Sequence, residues 1–224
     1  MTVIDQNDFY YCSNLAEIDL PETLQKIGSG NVNGSFYRTA LREIDYKNVY
    51  WDDHGFVECP NITVVRGKNI KYLNDSYSRC THIKRLILPK AAFKNVAQQM
   101  GNNIAYGTHD LEMVDLGANM QYIRGYIRYQ SNNVYSGTFK KTTVVFRSKS
   151  FTFNSKSVLQ GCWRCYCTEE MYDYLKNSTN NAYASMVYLI GGAEWTAQFG
   201  SSDPYANLKQ EEYDYYYKDI VEQG

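Results

Sequence analysis

Six cysteines are the residues of this chain best suited to do chemistry, and three of them, Cys162, Cys165 and Cys167, crowd into "CWRCYC". A thiolate can bind zinc, exchange disulfides or attack a substrate, and C-x-x-C is a spacing at which two thiolates reach one metal. A tetrahedral site needs more ligands. The three histidines, His54, His82 and His109, lie in other stretches of the chain. Cys162, Cys165 and Cys167 are therefore weak metal candidates, and no cofactor is expected. A thioredoxin-like role would need a βαβ context that the flanking residues do not offer.

The other three cysteines share a different setting. "FYYCSNLAEIDLP" carries Phe9, Cys12, Leu15 and Ile18; "FVECPNITVV" carries Phe56, Cys59, Ile62 and Val65; "YSRCTHIKRLILP" carries Tyr77, Cys80, Ile83 and Leu86. Aromatic, cysteine, aliphatic and aliphatic recur at the same spacing in all three. A shorter copy, "FYRTALREIDY", has Phe36, Leu41 and Ile44, and "LEMVDL" adds Leu111 and Val114. A free cysteine also packs as a small apolar residue. Phe9, Cys12, Phe56, Cys59, Tyr77 and Cys80 thus read as a structural ladder. Catalysis finds little footing, since no G-x-S-x-G elbow, H-E-x-x-H helix or phosphate loop is present. The pairs Asp52-Asp53 and Glu169-Glu170 read as solvated carboxylates, so no catalytic residue is assigned.

Such a ladder requires stacked coils. The leading aliphatics at 15, 41, 62, 83 and 111 are 26, 21, 21 and 28 residues apart, in the range of solenoid coils built from a strand and a turn or short helical return. In the first copy Ile18 and Leu20 alternate inward while Glu17 and Asp19 face out. One coil cannot bury its inner face; stacked coils make a continuous core.

The pattern F-x-x-C-x-x-L-x-x-I-x-L-P, followed by a half-coil such as "ETLQKIG" with Leu24 and Ile27, resembles the BspA-type (treponemal-type) leucine-rich repeat. The resemblance covers roughly residues 9 to 167. The stretch from "TTVVF" to "YDYLKN" is similar to that family's terminal repeat, with Phe151, Thr152 and Phe153 in place of its proline loop. The resemblance implies an α/β repeat: a short leucine-rich-repeat solenoid, with a β-strand plus turn or short helix per coil, over residues 1–167. Residues 168–224 are expected to form a helical C-terminal cap. Thr168 would cap one helix, a second would end at Gly191-Gly192, and a third would begin at Asp203-Pro204. Tyr172, Leu175, Trp195 and Tyr205 are the expected docking residues. Proteins of the resembled family are mostly surface or secreted proteins of host-associated bacteria implicated in adhesion.

The outward strand positions offer a concave face: Glu17 and Asp19, Glu43 and Asp45, Val64 and Arg66, Arg85 and Ile87, Met113 and Asp115. Its first two coils are acidic and the next two basic, a polarity that could orient a protein or glycan partner or simply be satisfied by cross-strand pairing. The 22 tyrosines add edges able to make contacts. A net charge of −1 with both signs interspersed argues against a nucleic-acid partner, and the apolar runs are too short for a membrane span. No signal peptide is visible at the N-terminus, which discounts the sequons at Asn33, Asn61, Asn74 and Asn177. Only eight residues precede Phe9. The N-terminal edge is therefore expected to be covered by a partner, by self-association or by upstream chain. A non-catalytic adhesion-like binding module fits these features, with a structural subunit of an assembly such as a phage virion as the alternative. The turn-rich stretch "GSGNVNGS" and the stretch "NVAQQMGNNIAYGTHD" read as insertions between coils.

Overall fold

Where aliphatic and polar residues alternate, the chain forms short strands, and the turn after each returns it alongside its predecessor. The computed structural model describes residues 2–28, 34–92, 104–128, 140–200, 211 and 215–216. In chain order these hold β1 (Thr2–Ile4), β2 (Leu24–Ile27), β3 (Glu43–Asp45), β4 (Trp51–Asp53), β5 (Val64–Arg66), β6 (Tyr72–Asn74) and β7 (Arg85–Leu88). There follow β8 (Met113–Leu116), β9 (Tyr122–Ile123), β10 (Thr142–Phe146), β11 (Thr152–Phe153) and β12 (Cys162–Cys167). The chain then forms α1 (Glu169–Ser178), α2 (Asn181–Ala184), β13 (Val187–Leu189) and α3 (Ala193–Phe199). Most of both insertions, at 29–33 and 93–103, lies outside the described residues, as do 129–139, Asp203, Pro204 and Tyr205.

Every strand pairing among the described residues is parallel. The front of the solenoid is made of β3-β5 and of a five-stranded sheet in the order β7-β8-β10-β12-β13. The back is made of β1-β2-β4-β6 and of β9-β11. The return leg of these coils is thus a second short strand with tight turns, and the helices gather after residue 168. One apolar core runs between front and back, taking Leu20, Ile44, Val65, Leu86, Val114, Val144 and Cys165 from the front leg and Ile27, Leu73 and Ile123 from the back.

The ladder forms with one exception. Phe9, Phe36 and Phe56 stack at 4.8 Å per step with their ring planes parallel to within 3°, each pair worth about 0.5–1.5 kcal/mol beyond simple burial. Phe36, in the shorter copy, belongs to the stack as fully as Phe9. The Cys59 thiol donates to the Phe36 carbonyl at 2.8 Å and the Cys80 thiol to the Phe56 carbonyl at 2.8 Å. Each rung therefore bonds the aromatic of the coil before it, and burial pushes the Cys80 thiol well above the ordinary range. Cys12 departs from the expectation: it is exposed. No preceding coil among the described residues covers it.

A turn geometry invisible in the residue pattern sets the rungs. Tyr11, Glu58 and Arg79, each one residue before a cysteine rung, adopt φ of 58°, 56° and 66°, and Arg38, one residue before Thr39 in the shorter copy, adopts 56°. This left-handed region costs an ordinary residue about 1–2 kcal/mol. Repetition turns these side chains into a ridge: Arg38 donates to Tyr11 and to Glu58, and Glu58 also accepts from Arg79.

Asp52 overturns the solvated reading of the Asp52-Asp53 pair. It is fully buried and Asp53 nearly so, because β4 turns Asp52 inward. The Asp52 carboxylate accepts from the Tyr46 hydroxyl and, at 2.7 Å, from the Gly55 amide, and Tyr77 donates to Tyr46 at 2.8 Å. Burial pushes the Asp52 carboxyl from 3.8 up to about 7, against the pull of the Tyr46 and Ser76 hydroxyls and the Gly55 amide. A carboxyl that holds its proton more tightly when folded contributes stability that is full below about pH 4 and is lost as pH rises to about 7. Asp52→Asn should flatten that loss. Between pH 5 and 8 the wild type should fall by about 2–3 kcal/mol more than the variant in urea unfolding, and parallel pH profiles would refute the assignment.

The C-terminal region closes the far end. In α1, Met171 and Leu175 enter the main core and Tyr172 packs against it. The stretch expected to form a helix up to Gly191-Gly192 instead forms the short α2 and then β13, which pairs with β12. Strand pairing at an open sheet edge outweighs local helical preference there. The front sheet consequently continues past residue 167.

Candidate binding face

Parallel register gathers the outward residues of the front into two rows. Glu43 lies opposite Val64 and Asp45 opposite Arg66. Arg85 lies opposite Met113 and Ile87 opposite Asp115; these continue to Thr143 and Val145, then to Arg164 and Tyr166. All the outward residues read from the sequence in these four strands take places in those rows. Glu17 and Asp19 precede them in an extended, non-strand stretch, and both are exposed.

The rows are polar at one end and covered at the other. Arg66 pairs with Glu43 at 2.8 Å, and Lys47 reaches Asp19 at 2.5 Å. Such exposed pairs contribute about 0–1 kcal/mol each. Arg85 is exposed. Ile87, Met113 and Asp115, expected to be open, are buried, with Asp115 only 2% exposed. Asp115 accepts a bidentate pair from Arg147 at 2.9 and 2.9–3.0 Å.

The chain itself provides the cover. Ile87, Met113, Val145 and Tyr166 form a second apolar cluster with Trp195 and Tyr216. Trp195 was expected at the last coil, but α3 lays it across the front, edge-on to Tyr166 at 5.1 Å. Gln198 locks that helix down, accepting from the Tyr166 hydroxyl at 2.7 Å and donating to Thr143 at 3.1 Å. Further along, Tyr216 donates to the Val65 carbonyl at 2.9 Å and Tyr215 donates to Asp45 at 3.1 Å. The Lys68 ammonium sits 5.2 Å from the Tyr215 ring centre. Burial and the neighbouring Asp45 push the Tyr215 hydroxyl well up, so it remains a donor.

The "CWRCYC" group lies on this same sheet as β12. Alternation alone would send Cys162 and Cys165 to opposite faces. A register shift pairs Thr142 with Cys162 but Thr143 with Arg164, so Trp163 bulges out and both cysteines turn to the core. Burial pushes the Cys162 and Cys167 thiols up to about 12 and Cys165 well above 9. Protonated thiols facing the core are packing groups, and among the described residues no cluster of three or more His, Cys, Asp or Glu could hold a metal. Also among the described residues, no helix is long and apolar enough to cross a membrane.

Thr143, Val145, Arg147, Arg164 and Tyr166 extend the face beyond the residues read from the sequence. Their alternation in "TTVVF" and "RCY" was the available signal.

A family model described as the BspA type leucine rich repeat region matches in six copies, over residues 2–135 and 53–160. No curated protein matches the chain. A solved leucine-rich repeat protein from Bacteroides ovatus ATCC 8483 is similar at 15% identity and a TM-score of 0.39, over 74% of this chain and 46% of that one. The chain spans less than half the length of that protein.

Proposed function

The chain belongs to the BspA-type leucine-rich repeat family, and from that premise we propose that it is a non-catalytic binding module that contacts a protein or glycan in an adhesion-like role. Leucine-rich repeats generally serve protein interaction. The observation that carries the reading is the charged end of the front face, where Glu17, Asp19, Glu43 and Arg85 are exposed beside the half-buried Asp45, Val64 and Arg66. Charges held on a rigid sheet favour register and rate of encounter over raw affinity. The partner surface is accordingly polar and of mixed charge.

The test is binding to an array of cell-surface glycans and purified extracellular-matrix proteins, comparing the wild type with a Glu43→Ala, Arg66→Ala, Arg85→Ala triple variant. At least a tenfold loss is expected, since each rim charge contributes modestly and three are removed. Undiminished binding would sink the front-face assignment. A second reading, a structural subunit of a larger assembly such as a virion, draws on the N-terminal edge, where Val3 and Tyr11 are 41% and 49% exposed. On that reading a partner or second copy covers the edge. A stable monomer in light scattering would count against it.

A further inference from the structure

We propose that the front face across β3 and β5 is a recognition site for a tyrosine-bearing peptide segment, occupied here by the chain's own Tyr215 and Tyr216 as an internal ligand. The inference rests on the reading of this face as a binding surface and names the class of partner it takes.

Three observations converge on it. First, the contacts are those of peptide recognition. One tyrosine hydroxyl meets a side-chain carboxylate, Asp45, and the next meets a strand carbonyl, Val65. The two rings lie edge to face at 4.8 Å, so they enter as one unit. Tyrosine suits such a role because it supplies large contact area and a directed hydroxyl at low entropic cost.

Second, the place is specific. The front ladder lapses between β5 and β7. Tyr216 stands at that lapse, its hydroxyl on β5 and its ring in the cluster that includes Ile87 of β7.

Third, the chemistry of the two sides matches. Residues 213–217 hold four tyrosines. The face across β3 and β5 offers both signs, Glu43 and Asp45 on one strand and Arg66 on the next, with Lys68 over the Tyr215 ring. A tyrosine takes both, its hydroxyl on the carboxylate and its ring beneath the ammonium.

An internal ligand masks its own site. A tethered segment acts at an effective concentration in the millimolar range, so an external peptide of ~10 μM intrinsic affinity would bind roughly 100-fold more weakly while the tail is seated. A partner bearing the same motif would displace it.

The test titrates a labelled synthetic peptide of residues 208–220 against the full-length chain. A Tyr215→Ala, Tyr216→Ala double variant should bind the peptide at least tenfold more tightly than wild type, and adding Asp45→Ala should remove the gain. A peptide with alanine at both tyrosines should not bind. Circular dichroism melting establishes that the variants are folded, and Tyr216→Phe, which removes only the hydroxyl bond, provides a milder opening with a smaller gain. A folded double variant, or a folded Tyr216→Phe chain should the double variant fail to fold, that binds peptide no better than wild type overturns the proposal. Capture of array ligands without any gain for the peptide overturns this inference alone. A peptide gain without any array ligand overturns only the adhesion-like reading.

Discussion

Replacing Arg128 with alanine should destabilise the protein by about 3–5 kcal/mol, because the buried acceptors it leaves dry cost about 1–3 kcal/mol each before relaxation. Arg128 is fully buried just beyond Ile127. Its guanidinium donates to the Lys140 carbonyl and the Thr142 hydroxyl at 2.6 Å each, and to the Thr108 and His109 carbonyls at 2.8 and 3.1 Å. Burial lowers its pKa to about 10, leaving it charged at neutral pH. A planar fork ties the turn at 104–109 to the start of β10, and no apolar side chain can replace those donors. Arg128→Lys should recover only part of the loss, because an ammonium cannot meet four acceptors in one plane. Urea midpoints for the two variants decide the matter, and an alanine variant within about 1 kcal/mol of wild type would refute the clamp.

Gly28→Ala should be nearly as damaging, at about 2–5 kcal/mol. Two costs combine at that site. Gly28 adopts φ +79°, which charges any other residue about 1–2 kcal/mol. An added Cβ would also stand 1.9 Å from the Asp53 carbonyl oxygen, so two coils would have to separate, and overpacking of that kind typically costs about 1–3 kcal/mol. Gly200 offers a strain-only comparison. It has φ +82° and ψ −170° with nothing within 4 Å, so Gly200→Ala should cost only its own backbone strain, about 1–3 kcal/mol. A Gly28→Ala loss no larger than about 1–2 kcal/mol would show that coil contact contributes nothing.

The repeat was readable because a solenoid writes its core as a period. Cys59 and Cys80 sit in register with their aromatics, and the outward positions from Glu43 to Asp115 fall into rows. What escaped was whatever depends on contact between distant parts of the chain. Asp52 looks like any surface acid until β4 turns it inward beneath Tyr46 and Tyr77. Val187–Leu189 carries no mark that distinguishes an edge strand from a helix end before β12 is in place beside it. The cover over Ile87 and Met113 left a fainter trace: outward apolar residues in neighbouring coils require something to shield them. Nothing local says that Trp195 and Tyr216 do so. Trp163 shows the same limit from the other side, since a single bulged residue makes a metal-like spacing out of two core positions.

The lapse of the front ladder between β5 and β7 marks the step at which the front strands should part most readily. In a solenoid, cooperativity passes only between neighbouring coils, and segments with fewer bonds to a neighbour open at lower free energy. The turns and the back still cross this step, through the Phe56 amide on the Ser76 carbonyl, the Cys80 thiol on the Phe56 carbonyl and the Ala92 amide on the Lys71 carbonyl. Amides of β5 and β7 should therefore exchange with solvent sooner than those of β8 and β10, and Tyr216, bonded to β5 and packed beside Ile87, braces the two strands.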